Sequence, residues 1–401
     1  MLNSVILAIF GFLFWIVCAH FYAPYQIGIA TTLISVASIL MQISTLGFNV
    51  SIIKFLPKSA CKDDTVNTAI ITATGMVLIS SVTFLLGVRF FSPKLAFIGA
   101  HPWMWLGFLF STLVITLAQL LNAVYIALRS NGYQVIISTV YSFARMALLP
   151  VFVYLVGFGI FIAVAIATLI SIVYGFFVLK RKFDFKIRVR FHSSVLREMA
   201  GFSVGNYFLS FFNNLYLVAL PVIITNKVGP AASAYFYIAT SLIAFLYVVP
   251  QAAASSMFAE GAHADKHDRA LTFKAARILF ALLLPAILIY ISFGKYILLL
   301  YGHSYSANGM KLLDILAVSS IFVSISQLYF THYRVSNQML KLNGIVIFTN
   351  LLALGLSYAF VRHGLVAVGV AVGGCQAISC ILFFVLDNKG PLRAFGKAPS
   401  V

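Results

Sequence analysis

Twelve apolar stretches, most of them about twenty residues or longer and set closely one after another, decide what this chain can become. They run Leu2–Tyr22, Ile27–Ile52, Asn67–Phe91, Trp103–Leu128, Tyr133–Val156, Phe158–Leu179, Met199–Thr225, Ala231–Met257, Thr272–Phe293, Leu312–His332, Asn343–Val361 and Gly364–Leu386. A helix of about 20 mostly apolar residues crosses the hydrocarbon core of a bilayer. Helices satisfy their own backbone there, which lipid demands. A soluble core of 401 residues has no room for a chain that is 62% apolar and 9% charged, since soluble domains run near 45–50% and about 25%. The expectation is therefore an all-α polytopic membrane protein with about 12 transmembrane helices. Leu2–Tyr22 lacks the basic start and small-residue cleavage site of a signal peptide and reads as a retained first helix. Cys18, Cys61, Cys375 and Cys380 lie in or beside apolar stretches without metal-ligand spacing, so neither a disulfide framework nor a metal site is expected.

The net charge of +18 would suggest nucleic acid in a soluble protein. Here it reads as membrane orientation, and no nucleic-acid partner is expected. With the N-terminus in the cytoplasm, the inner loops and tail hold 20 Lys and Arg, the outer loops hold 6, and Arg145 falls inside a span. Basic residues collect on the cytoplasmic side, so both termini are expected there, in the cytoplasmic membrane. The stretch Lys180–Arg197 carries seven basic residues and divides the spans six and six. The expected organisation is an N-terminal six-helix lobe (1–179), a basic cytoplasmic linker (180–198), a C-terminal six-helix lobe (199–386) and a cytoplasmic tail (387–401). A faint repeat supports it. Pro24-Tyr-Gln-Ile-Gly28 precedes the second span and Pro230-Ala-Ala-Ser-Ala234 the eighth, as in parallel repeats about an axis along the membrane normal.

Ionisable groups inside the spans are few. Arg145 sits near the middle of the fifth, where a cation costs about 2.5–3.5 kcal/mol on insertion scales. Two readings stand side by side: an anion-contacting group in a central cavity, or a structural side chain, either bonded to the carbonyls of a neighbouring helix or brought near an interface by a shifted span. From Met1 to Phe183 the only acids are Asp63 and Asp64, and Asp314 is the sole acid within a span, one turn inside the outer end of the tenth. A cation-coupled antiporter needs a buried carboxylate, so Asp314 is the one candidate ion-coupling group, with helix-terminus charge compensation as its alternative. Prolines 150, 221, 250 and 285 bend their spans, and the pairs Gly201/Gly205 and Gly369/Gly373 suit close helix packing. His263, Asp265 and His267 read as a solvated loop rather than a metal site. No nucleophile elbow, phosphate loop or dinucleotide fingerprint is present, and the longest outer loops, near Ser92–Pro102 and Gly294–Lys311, contain no acid. No catalytic residue and no cofactor are expected, and the chain does not read as an enzyme.

Phe14-Trp15, the turn Tyr22-Ala-Pro-Tyr-Gln-Ile-Gly28 and the run Leu46-Gly-Phe-Asn-Val-Ser-Ile-Ile-Lys-Phe-Leu-Pro57 resemble the start of the polysaccharide-type flippases of the multidrug/oligosaccharidyl-lipid/polysaccharide exporter superfamily. Gly229 through Ala239 and Pro250 through Ala262 resemble its second half. The resemblance implies two six-helix lobes around a central cavity and export of lipid-linked sugars by alternating access. Where the family often has a basic residue before its first turn, this chain has His20; Lys54 matches a basic position typical of the group. The expected cargo is a polyprenyl-diphosphate-linked oligosaccharide, with Arg145, Lys54 and His20 supplying positive potential along the inner path. Asn206, Asn213, Asn214 and Tyr216 on the seventh span are expected to hydrogen-bond sugar or phosphate oxygens, interhelical bonding being their alternative. The expected partners are the lipid bilayer and, in a glycan assembly pathway, a polymerase or glycosyltransferases. Two other readings remain open: an ion-coupled multidrug or small-molecule exporter of the same fold, and a non-transporting membrane partner of a glycan assembly complex.

Overall fold

The computed structural model describes residues 2–59, 62–185, 191–261, 269–335 and 338–386, and among them every regular element is helical. The motif at His263, Asp265 and His267, the centre of the basic linker and the tail lie outside the described residues. Twelve helices have 18 or more residues: α1 (Leu2–Phe21), α2 (Pro24–Thr45), α3 (Lys62–Leu86), α4 (Pro102–Ala127), α5 (Asn131–Leu148), α6 (Val156–Phe183), α7 (Ser193–Lys227), α8 (Pro230–Gly261), α9 (Arg269–Leu299), α10 (His303–Val335), α11 (Met339–Phe360) and α12 (Leu365–Leu386). Nine of them, judged on the described residues, are long and apolar enough to cross a membrane. The chain is an all-α polytopic membrane protein.

Several expected spans are broken where the backbone turns. The second ends at Thr45, because Leu46 and Gly47 both take left-handed conformations, φ 47° and 77°, and a separate short helix follows over Phe48–Phe55. The fifth stops at Leu148, and Pro150–Leu155 continues as a 3-10 turn; proline lacks the N–H that an α-helical turn requires. Pro150 therefore ends its span instead of bending it, whereas Pro221 and Pro285 sit inside α7 and α9. The outer segment Gly294–Lys311, expected as a loop, belongs to α9 and α10 on either side of a turn at 300–302. Its aromatic residues supply the reason: Tyr305 is buried and packs edge-on against Tyr235, ring centroids 5.2 Å apart.

The described chain forms two compact units, Leu2–Ala234 and the residues from Tyr235 onward. Helix α7 belongs to the first. The Thr32 and Thr225 hydroxyls meet at 2.5 Å, Ser51 donates to the Met199 carbonyl at 3.2 Å and Ser92 donates to the Asn226 side chain at 3.1 Å. Two apolar clusters follow one another within this unit. One contains Leu33, Leu85, Phe108 and Phe161, the other Ile52, Leu120, Tyr125 and Leu179. In the second unit Tyr329 and Tyr333 pack on Phe383.

Hydroxyl groups are answered locally. Thr32, Ser38, Thr116, Ser142 and Ser324 each donate to a carbonyl four residues back, at 2.6–2.8 Å, which hides a polar group from hydrocarbon. Glycines set the tightest helix contacts. A Cβ at Gly157 would lie 2.4 Å from the Gln26 carbonyl oxygen, and one at Gly28 only 1.7 Å from that of Pro230. Gly157→Ala and Gly28→Ala should each lower the thermal midpoint of the purified protein, at an overpacking cost of about 1–3 kcal/mol. Gly75→Ala and Gly132→Ala, which meet nothing within 4 Å, should not. Equal midpoints for all four variants would show that these contacts yield without cost.

Candidate functional site

Arg145 lies in the last turn of α5, nearer the helix end than the expected middle of a span because α5 stops at Leu148. Its residue is 9% exposed. The guanidinium carbon stands 4.4 Å from the centroid of Phe14 on α1 and 4.9 Å from that of Tyr141, one turn back on α5. Aromatic faces attract a desolvated cation by up to about 2 kcal/mol. Nη1 donates a long 3.5 Å bond to the Tyr141 hydroxyl, while Nε and Nη2 are buried without a hydrogen-bond partner among the described residues. Among the described residues no carbonyl of a neighbouring helix receives them, while the place of Arg145 in the last turn of α5 matches the shifted-span alternative. A Cβ at Gly11 on α1 would meet Nη2 at 3.9 Å, an ordinary van der Waals distance.

Three acids of the first unit, Asp63, Asp64 and Asp184, sit at helix ends. Asp63 and Asp64 begin α3, where a carboxylate suits the positive helix end, and the Asp64 carboxylate stands 3.5 Å from His192. Asp184 closes α6 in a left-handed conformation.

Below Arg145 along α5, two cavities open inside the first unit. The first, about 360 Å³, lies among α1, α2, α4, α5 and α6, with Gln119, Asn122, Gln134, Ser138, Tyr141 and Thr168 among its lining side chains. The second, about 330 Å³, lies among α2, the Leu46–Gly47 elbow, α4 and α7, with Gln42, Asn49, Tyr207, Phe211 and Asn214 in its wall. Ser38, Met41 and Gln119 line both, so the cavities adjoin. Among the described residues no charged side chain lines either.

The sequence-predicted residues are only partly brought together. Asn214 lines the second cavity, and Arg145 touches the wall of the first through Tyr141. The side chains of Asn206 and Asn213 lie outside the described residues, and Tyr216 is half-buried on the same helix. Lys54 is exposed on the short helix after the elbow, its Nζ 5.2 Å from the Phe55 ring centroid. His20 is exposed at the end of α1 and donates from Nδ1 to the Ile16 carbonyl at 2.8 Å. Neither Lys54 nor His20 lines either of these two cavities. Asp314 belongs to the second unit, about three turns into α10 instead of one, because the helix already begins at His303. Its Oδ1 is buried without a hydrogen-bond partner among the described residues. Sequence reasoning passed over Gln119, Asn122 and Gln134. Two amides three residues apart on the apolar α4 were the available signal, since polar side chains inside a span tend to face a cavity or a partner helix.

Arg145→Met separates a functional cation from a structural one. Removing a buried charge with partnerless donors should leave the thermal midpoint unchanged or raised, the side chain having cost about 2.5–3.5 kcal/mol to insert. A clear fall in the midpoint would assign Arg145 to holding α1 against α5.

A family model described as polysaccharide biosynthesis protein matches residues 1–259. No curated protein matches the chain in sequence. Among solved structures, the chain is similar to the lipid II flippase MurJ in an inward closed conformation, with a TM-score of 0.79 at 12% identity, covering 98% of this chain and 88% of that one. It is also similar to an inward-facing multidrug resistance MATE family transporter of the MOP superfamily, TM-score 0.73 at 16% identity, covering 97% and 94%. A third similarity is to a MOP superfamily transporter from Pyrococcus furiosus, TM-score 0.58 at 15% identity, covering 99% and 94%. At these identities the likeness is one of fold.

Proposed function

The chain belongs to the polysaccharide biosynthesis protein family, and from that premise we propose that it is a flippase. Its cargo is a polyprenyl-diphosphate-linked oligosaccharide, moved from the inner to the outer leaflet of the cytoplasmic membrane by alternating access. Arg145 carries the reading. A buried guanidinium with two partnerless donors, in a stretch whose only acids sit at the start of α3, suits an anionic headgroup and repels a cationic one. A diphosphate brings about two negative charges, and taking them into an apolar medium without a counter-charge costs far more than burying a neutral polar group. Arg145 supplies that counter-charge, and Lys54 and His20 add positive potential on the approaches. The chain acts within glycan assembly, beside the glycosyltransferases or polymerase that make and consume the cargo.

An inside-negative potential favours outward movement of an anion by about 2.3 kcal/mol per charge per 100 mV, so flipping needs no carboxylate ion site. In proteoliposomes loaded with a fluorescent lipid-linked oligosaccharide, collapsing the potential with an ionophore at fixed pH and sodium should slow transport. Arg145→Ala should abolish it and Arg145→Lys should retain part. An Arg145→Ala protein that transports normally would remove the site from the mechanism.

One observation favours a second reading, an ion-coupled small-molecule exporter: the partnerless Oδ1 of Asp314. Asp314→Asn decides between the two. It should leave potential-driven flipping intact under the first reading, and under the second it should abolish transport driven by a proton or sodium gradient.

A further inference from the structure

We propose that the two adjoining cavities of the first unit form a saccharide subsite, which takes the neutral glycan part of the cargo with Gln119 at its centre. The subsite depends on the flippase reading for its place in transport, while its own test does not pass through translocation.

The lining chemistry selects the ligand class. Among the described residues no Asp, Glu, Lys, Arg or His faces either cavity, so neither an organic cation nor a phosphate finds a counter-charge among them. A purely apolar ligand is equally ill matched, because it would strip water from the amides and leave them unanswered, at about 1–3 kcal/mol for each buried group. A sugar answers both conditions. Each hydroxyl donates and accepts, as an amide side chain does with its NH₂ and carbonyl, and the apolar face of a pyranose ring lies well on an aromatic one. Such faces are present: Tyr141 borders the first cavity, while Tyr207 and Phe211, ring centroids 5.7 Å apart, border the second.

Gln119 stands in the wall that the two cavities share, half-buried, and makes no hydrogen bond among the described residues. Its neighbour one turn on, Asn122, accepts from Gln134 Nε2 through its side-chain oxygen. Whichever amide donates, the pair leaves one NH₂ and one carbonyl oxygen, a donor and an acceptor, for the cavity. Donor and acceptor held at set positions discriminate hydroxyl orientation, because a mismatched epimer leaves one of them unpaired. A volume of about 360 Å³ falls in the range of small-molecule sites, about 300–1,000 Å³, and suits a mono- or disaccharide. Tyr141 links this neutral chamber to the cation, one ring bordering the cavity and carrying the Arg145 guanidinium. A glycosyl group and its diphosphate are covalent neighbours, and the two chemistries are neighbours here.

The test uses the full chain in nanodiscs and lipid-free probes: lactose, maltose and N,N′-diacetylchitobiose, followed by ligand-observed NMR titration. At least one disaccharide should bind. Gln119→Leu and Asn122→Leu, close to isosteric, should each weaken that binding tenfold or more while keeping the thermal midpoint. Arg145→Met should leave it unchanged, and inorganic pyrophosphate should not compete. Absence of binding by all three sugars, binding indifferent to both leucine variants, or displacement by pyrophosphate would overturn the subsite. Sugar binding that survives in a protein unable to translocate lipid-linked cargo would overturn the flippase reading and leave the subsite standing. Translocation that is indifferent to Gln119→Leu, in a protein that binds no sugar, would do the reverse.

Discussion

Hydrocarbon offers a polar atom no water, and this fold is organised around that refusal. Backbone groups are answered within helices, and threonine and serine hydroxyls turn back onto the preceding turn, as Thr32, Ser38 and Ser142 do. Helices approach through glycines that bring no polar group at all, as at Gly28 and Gly157. A buried polar group left unanswered is costly to keep. Arg145 is such a group in the first unit, with Nε and Nη2 buried and without a partner among the described residues; the half-buried Gln119 amide, which lines both cavities, is polar without charge.

These exceptions differ in kind. Arg145 presents fixed positive charge, cushioned by two aromatic faces in place of a carboxylate. A carboxylate partner would neutralise the charge and compete with an incoming anion; an aromatic face lowers the cost of burial and leaves the N–H donors available. The amides of α4 and α5 present direction without charge. A headgroup that is anionic at one end and polyhydroxylated at the other needs both kinds, in sequence. In the second unit the lone oxygen of Asp314 has the opposite sign, and it stands outside this arrangement.

Much of the architecture was legible in the residues because the bilayer enforces length and apolarity together. Twelve apolar runs became twelve long helices, and the scarcity of acids before Phe183 singled out the cationic character of the first unit. What the pattern did not carry was local geometry. Leu46 has no left-handed preference, so only Gly47 hinted that the second run would break. Pro150 ends α5 while Pro221 and Pro285 are carried within their helices, a difference set by neighbours and not by proline itself. His20 and Lys54 were grouped with Arg145 by charge and by the positions they occupy in the resembled family, yet each is exposed, and neither lines the two cavities described. Gln119 and Gln134 were passed over because an amide carries no charge to draw attention, although α4 and α5 converge on them.

The elbow at Leu46–Gly47 reaches beyond the helix it interrupts. Gly47, Asn49 and Val50 line the second cavity, so that part of its wall is set by a backbone reversal and the short helix that leaves it. A wall of this sort accommodates exchanges of the side chains upon it, which change texture and selectivity, while its outline stays fixed by dihedral angles. Insertion or deletion of a single residue there would swing the short helix about its axis by roughly 100° and redraw the compartment.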